Sequence, residues 1–561
     1  MLPSVFKTIT LGILIVASNT NDIIAQHCAW AKSGSAISQI IGNNNANSVV
    51  VDNAGNAYIA GSFGSKTITF GSFTLTNTDT ISSDIFLVKY SASGTVLWAK
   101  SFGGNQSDWA YSMTIDNSGN LYLFGNFESP TITFGGITLT NSAGEDMFIA
   151  KVDGSGAISW AKNFKVGVGG SATPYYSQAT SIATDMTGNI YVTGYFDSSV
   201  TFGSIFLNHG ALIGTNIFVA KLDGAGNTIW AKKSDGAGAD FGNAITVDPS
   251  GNVYITGDFS SHEIMFNALT LTNAAPDNSV FFLVKYDPSG NEIWGKSVGD
   301  SNKVSGLSVA TDAVGNVYVA GGFNSPTAVF GATTLANADI TGMSDDIFLV
   351  KYNASGGVIW SKSYGGTSED MPGSIVTESS GNAYMTGFTT SSSISFGTTT
   401  INDLGMFVAK INSSGNAVWA RGSTGMSASF GSSIARDLYG NLYVSGNYGS
   451  VFTLDSTVLT DSLPTGFDNV YLAKFADGTS IVPIIDNNED VVIYPNPTGD
   501  KLNVSYSGKI TRIEVHNVLG QTLLSRNCSN ENVMLDLHNL TPGLYFVQIN
   551  GTFTKRFLKG Q

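Results

Sequence analysis

Three aspartates each stand directly before a large apolar side chain: Asp108 before Trp109, Asp240 before Phe241 and Asp370 before Met371. Phe430 occupies the matching position further along, and Tyr175-Tyr176 lies close to another. Carboxylates interleaved with aromatic rings suit a glycan, or a cation with its waters. The alternative is structural, with loop acids capping backbone N–H groups beside ordinary packing aromatics. No spacing elsewhere in the chain points to catalysis. The histidines His27, His209, His262, His516 and His538 are scattered, and there is no nucleophile elbow, HExxH pair or phosphate-binding loop, so no catalytic residue is assigned. A site assembled from single residues on many loops would leave no such local pattern, which keeps an enzyme as the alternative. Cys28 and Cys528 have no neighbouring His or Cys to complete a metal set and are expected as two separate thiols.

The elements that position these residues repeat. DNAGNAYIAGSF at Asp52 returns as DNSGNLYLFGNF at Asp116, DMTGNIYVTGYF at Asp185, DPSGNVYITGDF at Asp248 and DAVGNVYVAGGF at Asp312. Looser copies begin at Glu378 and Asp437, which makes seven. Successive copies lie 64, 69, 63, 64, 66 and 59 residues apart, a length that suits one four-stranded blade with an insertion. Between them recurs a second pattern, as in DIFLVKYSASGTVLWAK at 84–100 and DMFIAKVDGSGAISWAK at 146–162. Each repeat therefore holds two hairpins. In the second repeat, strands are predicted over Ser112–Asp116, Leu121–Phe127, Met147–Val152 and Ala157–Phe164, with an added hairpin around 131–141.

Both hairpins turn through Asp-x-x-Gly or a close relative. Asp accepts backbone N–H bonds at the first turn position, Pro presets φ at the second in Asp248-Pro249 and Asp287-Pro288, and Gly supplies the left-handed conformation that ends the loop. Asx-rich loops also bind calcium, but the alternating acids of an EF-hand are absent, so calcium is the lesser reading and no cofactor is assigned.

The ends of the repeat region do not match, and the mismatch predicts a closed ring. The Trp that follows the second turn appears as Trp98, Trp160, Trp230, Trp294, Trp360 and Trp419, but the seventh copy stops after VYLAKFADG. CAWAKSG at 28–34 carries Trp30 in the same setting at the other end. A ring that borrows its first strand to complete its last blade removes unpaired sheet edges. The fold class is therefore all-β, a seven-bladed β-propeller over 26–477 closed by the N-terminal strand. The repeated Trp residues are assigned to the contacts between blades. So are two basic ladders, Lys89 to Lys474 on the third strands and Lys32 to Arg421 after the Trp, as partners of the turn acids. If the Asp-x-x-Gly turns share one face, the remaining connections share the other. There the loops vary, and there Asp108, Asp240, Asp370 and their aromatic neighbours are expected.

GNxYxxG followed by FLVKY and W-A-K resembles the SBBP-type beta-propeller repeat of exported bacterial proteins. The resemblance covers about residues 27–477 and implies a fold, not an activity.

After a linker at 478–490, residues 491–561 read as strands of a small β-sandwich: KLNVSY, RIEVHNVLGQTLL, NVMLDLHNL and GLYFVQIN. Tyr494-Pro495-Asn496-Pro497, the turn glycine Gly520, Gly543 and Tyr545 in GLY, and the basic end Lys555, Arg556 and Lys559 together resemble the C-terminal sorting domain of the type IX secretion system. The resemblance implies handling by that machinery, passage through the outer membrane, removal of the domain, and release or attachment at the surface. A structural adhesive module is the alternative.

Export is also read at the N-terminus, where Lys7 precedes the apolar run Leu11–Ala17 and cleavage is expected after Ala25. No later stretch is long and apolar enough for a spanning helix. The net charge of −15 falls on the repeats, which excludes nucleic acid and anionic membrane as partners and leaves glycan, protein or cation. The function expected is a binding or adhesion propeller outside the cell, with an enzyme acting on extracellular polysaccharide or peptide as the alternative.

Overall fold

Each Asp-x-x-Gly segment forms the turn its residues require. At the first, Gly55 N–H donates to Asp52 O (2.9 Å) and Asp52 N–H to Asn56 O (2.9 Å), with Gly55 at φ +80°. Asp52 Oδ1 accepts the N–H groups of Ala54 and Asn56, both at 2.9 Å. Asp248 repeats this with Ser250 and Asn252 at the same distances. The other carboxylate oxygen accepts the Asn side chain and the tyrosine of GNxY, as Asp116 Oδ2 does from Asn120 (2.8 Å) and Tyr122 (3.0 Å). The turn acids are thus engaged within their own hairpins.

The computed structural model describes residues 26–39, 44–79, 81–142, 144–167, 177–210, 214–274, 278–299, 302–425, 429–460, 469–476, 491–495, 498–517, 522–541, 543–550 and 553–560. The expected leader (1–25) and linker (478–490) lie outside these, as do Tyr175, Tyr176, Asn496, Pro497 and Gly520. Among the described residues there is no helix; none is therefore long and apolar enough to cross a membrane.

The repeats form antiparallel sheets whose backbone is four strands deep, as in Asp108–Ile115, Leu121–Phe127, Asp146–Val152 and Ile158–Val166. The first strand begins at Asp108, four residues earlier than predicted, because a β-bulge between Ala110 and Ser112 breaks the alternation that would have revealed it. In the sheet built on Ser429–Arg436, Leu442–Tyr448 and Asn469–Ala476, the fourth strand is His27–Gln39. It runs antiparallel to Asn469–Ala476, with Cys28 opposite Phe475 and Gly34 opposite Val470. First strands of neighbouring sheets touch one another, including those at Asn45–Val51 and Ser429–Arg436. The short hairpins inserted after each second strand pack against the fourth strands.

The repeated Trp joins sheet to sheet. Trp98 donates its indole N–H to Gly154 O in the second turn of the next sheet (3.4 Å), Trp160 to Gly224 O (3.3 Å) and Trp30 to Ala92 O (3.3 Å). Burying such a ring contributes about 2–3 kcal/mol. The third-strand lysines reach the same carbonyls, Lys89 to Gly154 (2.9 Å) and Lys474 to Ala92 (3.2 Å). Each lies over the GNxY tyrosine, 4.9 Å from the Tyr58 ring for Lys89. The turn acids are the looser partners, at 3.8 Å for Lys89 and Asp52 and 3.6 Å for Lys351 and Asp312.

The C-terminal region differs from the expected sandwich. Its five strands form one sheet, Val491–Tyr494, Lys501–Asn517, Thr522–Asp536, Gly543–Ile549 and Phe553–Lys559. The 17-residue strand Lys501–Asn517 holds Thr522–Asp536 on one edge and two strands in succession on the other. A strand that long bends instead of dividing between two layers, and the sheet curls until Thr498 bridges Lys559. Tyr545 and Lys559 are buried in this curl; Tyr494 is exposed. Lys559 pairs with Asp500 (3.0 Å).

Candidate functional site

One strand from each of seven sheets lines a central cavity of about 360 Å³. Its wall carries Ser48, Ser112, Ser181, Ser308, Ser374 and Ser433, with Ala244 at the seventh position. These hydroxyls stitch neighbouring sheets together: Ser433 Oγ accepts Val49 N–H (3.2 Å), Ser48 Oγ that of Met113 (3.1 Å), and Ser308 Oγ that of Ile375 (3.1 Å). At one end lies a second hollow of about 290 Å³, lined by turn residues that include Asp185, Asp248, Asp312 and Glu378.

Toward the other end of the first strands the backbone bulges, and the bulge explains the repeated glycine of YxxG. A β-carbon on Gly125 would stand 1.9 Å from Trp109 O, and one on Gly446 1.7 Å from Phe430 O. Only glycine admits the displaced strand. The residue after this glycine is Ser62, Asn126, Tyr195, Asp258, Gly322, Phe388 or Asn447, and it pairs with Asn45, Trp109, Gln178, Phe241, Ser305, Met371 or Phe430 respectively. Chemistry varies at these paired positions while the surrounding repeat stays constant, as a unique site requires.

Two aromatic groups result. Trp109 stacks with the bulge residue Tyr111 (centroids 6.4 Å, planes 22°), and Tyr195 meets Phe241 edge-on at 4.8 Å. Met371 is paired with Phe388, which meets Phe430 at 4.8 Å. The first group surrounds polar side chains. Asn126 Nδ2 donates to Glu145 Oε1 (2.6 Å) and Ser177 O (2.8 Å), and the Tyr195 hydroxyl donates to Gln178 Oε1. Burial, with Glu128, Asp197 and Asp146 nearby, pushes Glu145 up to about 7. Burial and the Glu145 charge also raise the hydroxyls of Tyr111 and Tyr195, the latter to about 12. Trp109, Tyr111, Glu145, Gln178, Tyr195 and Phe241 are all half-buried. They make a recess of rings, amide and carboxyl.

Asp108, Asp240 and Asp370 lie behind this surface, fully buried. Asp108 Oδ2 accepts Gly104 N–H and the Ser129 hydroxyl, both at 2.8 Å. Asp370 Oδ2 accepts Gly366 N–H (2.7 Å) and Ser391 Oγ–H (2.8 Å), and Ser261 donates to Asp240 Oδ2 (2.8 Å). Asp108 and Asp370 thereby tie the loop entering their strand to the turn leaving the next, whereas Asp240 holds the turn alone, since the N–H of Gly236 goes to Asn216 Oδ1. Of the expected apolar residues, Trp109 and Phe241 belong to the recess and Met371 and Phe430 to the second group, whereas the three acids lie behind them. Tyr111, Glu145, Gln178 and Tyr195 were missed by sequence reasoning; their signal was variation beside an unvarying glycine.

Residues 492–559 match the secretion system C-terminal sorting domain, and residues 225–258 match the beta-propeller repeat. The chain carries a propeller repeat and a secretion sorting tail. The fold is a β-propeller, and the tail points to export and to a surface or extracellular location. An uncharacterized WD repeat-containing protein of Acanthamoeba polyphaga mimivirus is 24% identical over 335 residues, 49% of this chain and 24% of that protein. The regulatory protein FlaEY of Caulobacter vibrioides is 30% identical over 139 residues, 24% of this chain and 14% of that protein. The chain thus spans a quarter or less of the curated relatives it matches. Among solved structures, BamB from Moraxella catarrhalis is similar at 12% identity, covering 81% of this chain and all of that one, with a TM-score of 0.32. The beta-propeller domain of the Trilobed protease from Pyrococcus furiosus is similar at 7% identity, covering 75% and 100%, with a TM-score of 0.37. Scores this low add nothing to the argument from topology.

Proposed function

We propose that this protein is a seven-bladed propeller, closed by its N-terminal strand, that is exported through the type IX secretion system and binds a glycan or protein outside the cell. The recess around Glu145 carries this reading. It sets four half-buried rings beside a carboxyl and two amides at the positions where the repeats differ. Rings that stack and polar groups that fix orientation are what a sugar or an extended side chain needs. The strand register between His27–Gln39 and Asn469–Ala476 supports the closed ring. The acidic repeats disfavour nucleic acid and anionic lipid.

The test is an array of glycans and surface proteins probed with the exported chain and with Tyr111→Ala/Tyr195→Ala. Selective binding by the parent that the double variant loses is the expected result. Equal binding by both would refute the recess as the site.

One observation favours a second reading. A carboxyl held near 7 beside tyrosine hydroxyls is suited to general acid catalysis on a glycosidic or peptide bond. Turnover of a bound ligand that Glu145→Gln abolishes without loss of binding would favour the enzyme.

A further inference from the structure

Two buried carboxylate pairs recur between neighbouring sheets. Asp84 opens the third strand Asp84–Tyr90, and Asp108 opens the first strand of the next sheet, its N–H donating to Ser83 O (2.7 Å). Between them run Gly103 and Gly104, the latter donating its N–H to Asp108 Oδ2 (2.8 Å). Asp346, Gly365, Gly366 and Asp370 repeat the arrangement, with Gly366 N–H on Asp370 Oδ2 at 2.7 Å. A β-carbon on Gly103 or Gly365 would lie 2.0 Å from Asp84 Oδ1 or Asp346 Oδ1 respectively. Glycine thus lets the first acid press against the segment that carries a donor to the second.

Asp84 and Asp346 are 1% and 2% exposed. One oxygen of each is satisfied, by Thr78 N–H (2.7 Å) and Oγ–H (2.8 Å) in one case and by Ala338 N–H (2.8 Å) in the other. The Oδ1 of each meets no donor among the described residues. The charged groups facing them are acids, Asp79 and Asp108 around Asp84, and Asp339, Asp345 and Asp370 around Asp346. Beyond these, Lys303 is engaged on Asp345 (3.1 Å), whose N–H is taken by Glu369 Oε2 (3.0 Å). A third copy has the same plan, but there Asn216 stands where the other two have the first Asp, and Asp240 bonds to Ser261. The chain itself places a neutral amide at this position.

We propose that each Asp–Asp pair is a proton-binding site, with Asp84 and Asp346 protonated in the folded protein, so that these two sheet junctions are complete only while the pair carries a single negative charge. Two ionised carboxylates in so little water repel and leave Oδ1 uncompensated, whereas a proton on one supplies the missing donor. Burial acts in the same sense on both members of each pair, pushing Asp84 up to about 6 and Asp108 and Asp346 to about 7 and raising Asp370, so that each pair holds one proton between its two carboxyls. Between the ordinary carboxylate range and these values the folded state holds more protons than the unfolded chain. Stability therefore falls as pH rises through that window. The junctions are tight in mildly acid surroundings and loosened in alkaline ones.

Thermal unfolding of the full chain at pH 5.5 and pH 8.5 tests this, with Asp84→Asn, Asp346→Asn and the double variant. The parent is expected to lose at least about 3 °C in Tm between the two conditions. The double variant should lose less and match or exceed the parent at pH 8.5. A double variant less stable than the parent at pH 8.5, with an unchanged pH slope, would overturn the proposal. So would a millimolar calcium effect that restores the parent at pH 8.5 and not the variant, because the pair would then hold a metal cation. If the double variant does not fold, infrared difference spectra of the parent decide. A protonated-carboxyl band that persists at pH 6, bleaches by pH 8.5 and weakens in the Asp84→Asn and Asp346→Asn single variants supports the proposal, and a band absent at pH 6, or unchanged in both single variants, refutes it.

Discussion

The indole of Trp30 lies flat against Gly94, so close that a β-carbon on the glycine would stand 2.9 Å from the ring. Gly226 receives Trp160 in the same way at 2.8 Å, and Gly290 receives Trp230 at 2.9 Å. A tryptophan near the start of the chain thus makes the contact that internal tryptophans make two sheets at a time.

Trp30→Ala should therefore cost as much as Trp160→Ala, about 3 kcal/mol each, measured by denaturant unfolding. A Trp30 variant with parental stability would mean that its strand adds nothing to the sheet it joins.

Gly226→Ala and Gly119→Ala separate conformation from crowding. Both glycines have positive φ, +74° and +80°, but only Gly226 faces a neighbour, while Gly119 has none within 4 Å. Gly119→Ala is expected to cost about 1–2 kcal/mol for the left-handed backbone alone. Gly226→Ala should exceed it measurably, since the Trp160 ring must shift.

Ala244→Ser would add a hydroxyl to the cavity wall where six of the seven sheets carry one. If it accepts an N–H from the next sheet as Ser181 does from Ile245 (3.3 Å), stability rises by up to about 1 kcal/mol. Chemical denaturation reads the gain; a loss would show that the alanine is sterically required.

Glu145→Gln tests the electrostatics of the recess. Because burial holds the parent carboxyl near 7, the folded state binds its proton more tightly than the unfolded chain, so stability falls as pH rises from the ordinary carboxylate range to about 7. The glutamine variant should show a flatter dependence of Tm on pH between 5 and 8. An unchanged profile would place the titration elsewhere.

Much of the fold was legible because it is written in local chemistry. An acid, Asp or in one copy Glu378, followed by Gly and Asn in a fixed order makes the first turn of each repeat, and the W-A-K setting of Trp30 points to a strand that pairs with Asn469–Ala476. The start of the first strands was not legible, since the bulge at Tyr111 shifts the alternation by one residue and conceals Asp108–Tyr111 as a loop. The sandwich expected at the end of the chain failed for a related reason: the alternation of Lys501–Asn517 does not say whether so long a strand breaks or bends.

Of the nominated contacts, Trp109, Phe241, Met371 and Phe430 lie on the varying surface, and Asp108, Asp240 and Asp370 brace it from behind. Residue types alone could not distinguish these roles, because a buried carboxylate bonded to a serine and a loop N–H reads the same in sequence as an exposed one. The chain by itself determined its hairpins, its repeat length and its sorting tail, all of which depend on residues a few positions apart. Only the tertiary structure decided that Tyr111, Glu145, Gln178 and Tyr195 meet, because they come from adjoining sheets and are brought together by a bulge, a glycine and the lateral packing of one repeat on the next.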